Sequence, residues 1–418
     1  MDVPSAEAPA FPRNDGSCAK NPLCDNPNIM INKFGVLYAG CVDMDNIGYA
    51  GTPANERWLP DEQLATVFEK STSFAKTMDK LGFDTFWGAE HHFQREGYEC
   101  IPNLLMLFLH LAHLTENLRF GCGFNINPMW HPLRLAEDYA TADILTNGRV
   151  RFGIGRGYHS REVEVFGNPI IDQDANRELF EEQVEVMWKA FNEPAFSHRG
   201  KHYDIPPAVP YRGYTLEEIT LVPRPKYPVE WWQPVVSASE RGLNFMAKYG
   251  IKGMIGGGAA PGGASDQVVH KWQEVQAQHG RELELGGDLI ISFSVYIADT
   301  TEQAIEESRL WAEERVKMFG PLGFVRGLSD EQVAAINSND PAQLLTADLP
   351  TIDQDVNSGG FFAGPADLVT EKLFEVQEHY PGLEEVNIGI TGMGMPESAT
   401  LEQMHRFAED VMPHFTSN

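Results

Sequence analysis

The chain has 418 residues, enough for one large α/β barrel or for two to three ordinary domains, each with a sizeable core. Its 32 Lys and Arg against 60 Asp and Glu give a formal net charge of −28. That balance excludes nucleic acid or an anionic membrane surface as the main partner, because polyanions attract basic patches.

Residues 1 to 30 read as an arm without periodicity. Its acidic residues, prolines and lack of an apolar core argue against a secretory or transit signal, so cytoplasmic residence is expected. INKFGVLYAG (31–40) is a β-branched and aromatic run ending in glycine, and LATVFEKSTSFAKTMDKLG (64–82) spaces its apolar residues three and four apart before a glycine stop. This is a strand, then a helix. The unit recurs in FDTFW (83–87) with 99–114, LRFGCGF (118–124) with 132–145, and RVRFGIG (149–155) with 173–190. The most apolar stretch, 101–114, is too short for a membrane span and reads as a core helix. A proline-studded insertion (193–232) precedes PVVSAS (234–239) with 240–249, KGMIGG (252–257) with 265–280, LIISFSVYIA (289–298) with 302–318, and VNIGITG (386–392) with 397–412.

Eight strands alternating with helices, without a break in composition, predict a (β/α)8 TIM barrel over 31–415, its chemistry at the C-terminal ends of the strands. A second insertion, 319–363, is too long for a plain connection and reads either as a lid over the barrel mouth or as a surface elaboration or dimer contact. The five cysteines are odd in number and widely spaced, with neither a C-x-x-C pair nor a zinc spacing, so no disulfide framework or structural zinc is expected.

Three stretches carry candidate chemistry. Glu90-His91-His92 follows the second strand, where two imidazoles can move protons near neutral pH or bond backbone carbonyls structurally. Adjacent histidines project apart and no H-x-E or H-x-x-x-H partner lies nearby, so a metal is not expected. Gly153, Gly155 and Gly157 bracket Arg156 past the fourth strand without the third-glycine spacing of a dinucleotide fingerprint. They suit close approach of a flat or phosphorylated ligand gripped by Arg156, or else Arg156 forms a surface salt bridge. Ser237-Ala238-Ser239 opens a helix whose free N–H groups either receive a phosphate or are simply capped.

These three stretches, with the H-P-x-R-x-A-E-D helix start (131–138) and the N-G-R-x-x-F-G-x-x-R-G run (147–157), resemble bacterial luciferase and the flavin-dependent monooxygenases built on its fold. The resemblance implies the same barrel and a two-component reaction: a separate flavin reductase supplies reduced FMN, and O2 delivers one oxygen atom to a small organic substrate by Baeyer–Villiger insertion or hydroxylation. It implies His91 as the catalytic residue and Arg156 and Ser239 on the phosphate, with Gly157 and Ser237 beside the cofactor. It also implies a cis peptide between Gly123 and Phe124 beneath the flavin ring, a substrate pocket at Trp87, Trp130 and Tyr158, and a homodimer. His92 is expected to point away and anchor its loop.

Two positions depart from luciferase. Gly155 stands where luciferase has a reactive cysteine, and Ala238 where it has an acidic residue, which argues against light emission and long-chain aldehydes. The loop from Cys41 to Pro60, with Tyr49, Arg57 and Trp58, has no counterpart and is expected to shape the substrate pocket. The alternatives are a deazaflavin-dependent dehydrogenase on the same barrel, or a flavin-binding protein without chemistry.

Overall fold

The computed structural model describes residues 31–256, 263–325 and 327–415. The arm at 1–30 and the predicted strand end at Gly257 lie outside the described residues. Eight parallel strands close on themselves: β1 (Lys33–Tyr38), β2 (Thr85–Gly88), β3 (Arg119–Cys122), β4 (Val150–Gly155), β5 (Trp231–Pro234), β6 (Lys252–Ile255), β7 (Leu289–Ile297) and β8 (Glu385–Gly389). Each pairs with the next, and β8 returns to β1 through Lys33↔Glu385 and Gly35↔Asn387. Parallel pairing demands crossovers, and helices supply them. They include α1 (Asp61–Leu81), α2 (Leu104–His113), α3 (Pro132–Leu145), α4 (Ser160–Val163), α5 (Gln173–Asn192), α6 (Glu240–Tyr249), α7 (Ala264–Gln278) and α8 (Thr301–Phe319). The sequence expectation of a TIM barrel holds.

Local chemistry explains where these elements stop. Helix α1 ends at Gly82, whose φ of 83° is the left-handed cap geometry that glycine adopts without strain. The second helix starts at Leu104 rather than at 99, because the Asn103 side chain caps it by accepting from the Met106 amide at 2.9 Å. The fifth strand is the Trp-Trp-Gln-Pro run at 231–234, three residues earlier than expected. Ser237 and Ser239 therefore lie in an exposed loop beyond it. The 193–232 insertion folds into two small hairpins, His198–Arg199 with Asp204–Ile205 and Pro210–Tyr211 with Tyr214–Thr215, and reaches the start of β5.

The 319–363 segment holds three short helices, α9 (Asp330–Asn337), α10 (Pro341–Thr346) and α11 (Ile352–Asn357). Ile336, Leu344 and Leu349 form a small core there with Tyr49 and Val316. The segment ends in an unforeseen strand, Phe361–Gly364, which pairs with Ser294–Ile297 of β7 and leads into α12 (Ala366–His379). Helix α13 (Glu397–Asp410) follows the last barrel strand. No helix among the described residues is long and apolar enough to cross a membrane.

The barrel interior is layered. Trp87, Trp232, Met254 and Ile290 pack together with Leu37 and Phe124. Near the strand starts the guanidinium of Arg151, 2% exposed, stacks over the Trp87 and Trp232 rings at 4.8 and 4.4 Å and pairs with Glu385 at 2.6 Å and Glu230 at 3.1 Å. Inward-facing charge at this end, opposite the C-terminal mouth, belongs to stability. Cys41, Cys100 and Cys122 are free thiols, and burial pushes each up to about 12, which leaves them protonated and unreactive.

Candidate active site

The loop after β2 presents Glu90, His91 and His92 in three different directions. Glu90 is buried and accepts from the Ile126 amide at 2.9 Å and the Trp130 indole at 2.8 Å, while His92 Nε2 approaches it at 3.2 Å. The His92 ring also meets Phe166 edge-on at 4.9 Å, so His92 anchors the loop.

His91 turns the other way, into a buried cluster built by the segment after β4. Its Nδ1 lies 3.2 Å from both oxygens of Glu162, and its Nε2 lies 3.1 Å from the Tyr158 hydroxyl and 3.3 Å from Glu99. Tyr158 donates to Glu99 Oε1 at 2.7 Å, and His159 Nε2 meets Glu99 Oε2 at 2.9 Å. Gln94 Nε2 and the His92 amide both donate to Glu162 Oε1 at 3.0 Å. Burial pulls the His91 pKa down, but the Glu99 and Glu162 carboxylates outweigh it and hold the imidazole above its ordinary value. Glu162 moves the opposite way, below the usual carboxylate range: burial resists, and the His91 contact prevails. Each partner therefore favours the charged form of the other.

The sequence reading missed Glu99, Gln94, His159 and Glu162. Tyr158-His159 and Glu162 sit within six residues of Arg156 and were legible as polar groups at a strand's C-terminal end. Glu99, in Gly-Tyr-Glu-Cys, carried no signal. His91, Glu99 and His159 offer ligand atoms within 4.8 Å of one another, a set that adjacent histidines alone did not foreshadow. His159 hydrogen-bonds Glu99 at 2.9 Å, and the Tyr158 hydroxyl, donating to the same carboxylate at 2.7 Å and lying 3.1 Å from His91 Nε2, completes a hydrogen-bonded chain.

The backbone between Arg156 and Tyr158 turns at Gly157, with φ of 81°. A Cβ there would stand 2.8 Å from Val163 and 2.9 Å from Ile126, so conformation and space both demand glycine. Arg156 is half-buried, and its Nη1 donates to Asn176 Oδ1 at 3.3 Å. Burial first, then the neighbouring guanidiniums of Arg177 and Arg241, lower its proton affinity, against a counteracting Glu181. Arg241 lies in the first turn of α6 and grips Glu181 of α5 at 2.8 and 3.1 Å. This brings the start of α6, capped by Ser239, into the neighbourhood of Arg156. Ser239 makes no side-chain cap bond, and Gly242 has only Ser239 within 4 Å of a would-be Cβ. Three guanidiniums beside a helix N-terminus suit an anion. Arg177 and Arg241 are additions to the expected set, and Ser237 is exposed in the same loop.

The peptide between Gly123 and Phe124 is cis, as the resemblance implied. Around the mouth a cavity of about 210 Å³ opens between the ends of β1, β7 and β8 and helix α8, lined by Leu37, Ser294, Trp311, Phe319, Asn387 and Thr391 among others. The buried Oδ1 of Asn387 has no hydrogen-bond partner among the described residues.

Trp87, Trp130 and Tyr158, expected on the substrate wall, do not line this cavity. Trp87 is fully buried over Arg151, Trp130 is turned to Glu90, and Tyr158 to Glu99. The expected pocket residues of the 41–60 loop are also redirected. Arg57 is buried against Glu314 at 3.2 Å, Tyr49 donates to the Pro350 carbonyl at 2.7 Å, and Trp58 is exposed under Arg95. The cavity is lined instead by polar inward positions of β7 and β8, Ser292, Ser294 and Asn387, which alternation along the strands makes legible in the sequence.

The family model described as luciferase-like monooxygenase matches residues 46–381, most of the chain. The chain belongs to this family. Among luciferase-like relatives, limonene 1,2-monooxygenase of Rhodococcus erythropolis is 23% identical over 364 residues, 86% of this chain and 84% of that protein. The oxygenating constituent of 3,6-diketocamphane monooxygenase from Pseudomonas putida, a type II Baeyer–Villiger monooxygenase in complex with FMN, superposes with a TM-score of 0.64 at 19% identity, covering 92% of this chain and 98% of that one. An F420-dependent secondary alcohol dehydrogenase superposes with a TM-score of 0.62 at 17% identity, covering 93% and 100%. At these identities the solved structures speak for the fold alone. The chain spans 40% of the length of the first curated relatives it matches.

Proposed function

We propose that this luciferase-like monooxygenase takes reduced FMN from a separate flavin reductase and uses O2 to insert one oxygen atom into a small organic substrate, working as a cytoplasmic homodimer. The observation that carries the reading is that Gly157 has on one side Arg156, in its cluster of guanidiniums, and on the other Tyr158, whose hydroxyl lies 3.1 Å from Nε2 of the buried His91. The site fits FMN: Arg156, Arg177 and Arg241 with the free amides of α6 would hold the phosphate, with Ser237 and Ser239 beside it, and the cavity at the strand ends would receive the ring. When bound, reduced FMN supplies the electrons that activate O2. His91 holds a proton at Nε2 for the reacting oxygen, oriented by Glu162, while Trp311, Phe319 and Phe361 exclude water from the cavity.

The test supplies the protein with a flavin reductase, FMN, NADH and labelled O2 against cyclic ketones, aldehydes, aromatic and sulfur compounds. One labelled oxygen atom per product molecule is expected. Hydride transfer from a reduced deazaflavin, with no dependence on O2, would establish the dehydrogenase instead, and binding without any turnover would leave a flavin carrier. A narrower prediction concerns the phosphate. Arg156→Ala is expected to weaken FMN binding by about 10- to 100-fold, as for a charged hydrogen bond, and riboflavin binding hardly at all. Titration calorimetry with both ligands checks this, and equal losses would remove Arg156 from the phosphate.

A further inference from the structure

Both nitrogens of His91 are engaged inside the protein, so a proton it gives up must be replaced through one of its partners. Glu162 is buried and leads nowhere: its other contacts are the His92 amide and Gln94. Glu99 differs, because its two oxygens face two imidazoles, Oε1 at 3.3 Å from His91 Nε2 and Oε2 at 2.9 Å from His159 Nε2. His159 in turn lines a second cleft, of about 220 Å³. Gln94, Glu96, Arg161, Lys317 and Asn337 also line it. No hydrogen bond reaches His159 Nδ1 among the described residues, while its Nε2 is held by Glu99 and Gln94.

We infer that Glu99 and His159 form a proton relay joining His91 to water in this second cleft. The inference rests on the proposed role of His91. A hydronium ion of the cleft water protonates His159 at Nδ1, His159 releases its Nε2 proton to the Glu99 carboxylate at Oε2, and the Glu99 carboxyl, turned about its Cγ–Cδ bond, hands that proton to His91 Nε2 and is a carboxylate again. Charge and atoms balance, and no bond other than N–H and O–H changes.

An imidazole takes up a proton at one nitrogen and releases it from the other, and a carboxylate does the same with its two oxygens. Imidazole, carboxylate and imidazole in series are therefore competent, with a turn of the Glu99 carboxyl as the movement that carries the proton across. The titratable and charged groups facing His91 are Glu90, Glu99, Glu162, Tyr158 and His159. Those facing His159 are Glu99, Glu162, Tyr158 and His91, with Glu96, Arg161 and Lys317 across the cleft. Glu99 and His159 do not touch the reacting atoms in this scheme. They act through His91.

The experiment follows exchange of the His91 ring N–H with solvent deuterium by NMR in histidine-labelled, flavin-free protein, so its outcome is independent of whether the oxygenase reading holds. His159→Gln keeps a donor for Glu99 yet cannot relay, and is expected to slow exchange on the order of 100-fold with an unchanged melting temperature. His159→Ala is expected to slow it equally and to recover when imidazole is added, because the free base fills the vacated space. Exchange as fast as in the parent protein, slowing without rescue by imidazole, or one equivalent of zinc or iron in the purified protein by elemental analysis would each overturn the relay.

Discussion

Product formation by the His91→Ala protein is expected to fall by about 10²- to 10⁴-fold, the usual worth of a positioned acid or base, while FMN binding stays close to that of the parent. The arginine cluster that would hold the phosphate is built by other residues, and His91 makes no contact with it. The same geometry fixes a pH dependence. The folded pKa of His91 lies above its ordinary value, so the imidazolium persists through that range and is lost as pH rises through the raised value. Activity should hold on the acid side and decline along an alkaline limb set by His91. Its stabilising contribution follows the same sign, complete below the ordinary histidine pKa and lost as pH climbs through the folded one.

Glu162→Gln removes one of the three carboxylates, Glu99, Glu162 and Glu90, that raise this pKa, so the alkaline limb should move to lower pH. A limb unmoved by Glu162→Gln, or a His91→Ala protein with parental turnover, would take His91 out of the chemistry. Stopped-flow turnover across a pH series, with FMN affinity measured in parallel, provides both readouts.

The barrel was legible because parallel strands leave runs of β-branched and aromatic residues at regular intervals, and helices between them repeat three and four apart. The Phe361–Gly364 strand was hidden at the end of a long insertion. Helix α12 is legible from Leu368, Val369, Leu373 and Val376, which repeat at helical spacing. At the site, residues that act from a strand end, His91 and Arg156, were found from their position. Their partners were not, because Glu99 and Arg241 come near them across the fold, and no spacing in the chain encodes the contact between residues 91 and 162 or the charge repulsion between 156 and 241. Aromatic residues misled for a related reason. Trp87 alternates to the interior of a barrel strand, where an indole over a buried guanidinium serves the floor rather than a ligand.

The largest loss of stability is expected at Glu314. This carboxylate of α8 is wholly buried and accepts from four donors: the Tyr98 hydroxyl at 2.5 Å, Arg57 at 3.2 Å, Lys317 at 2.8 Å and the Gly48 amide at 2.8 Å. Arg57 and Lys317 are themselves 4% and 1% exposed, so Glu314→Ala leaves two cations in a low-dielectric interior with backbone carbonyls as their remaining acceptors. Breaking one partner out of such a cluster costs about 3–5 kcal/mol, a large share of the 5–15 kcal/mol that typically holds a domain together. By contrast, alanine at Glu137, whose partner Arg134 is two-thirds exposed, should cost no more than about 0.5 kcal/mol.

Urea unfolding of the two variants measures the difference, and a Glu314→Ala loss below about 1 kcal/mol would show the cluster to be dispensable. The consequence reaches the site. Glu314 ties the 41–60 loop to the helix that carries Trp311 and Phe319, two walls of the main cavity. A milder Glu314→Gln variant that still folds should therefore lose affinity for flavin and substrate before it loses the barrel.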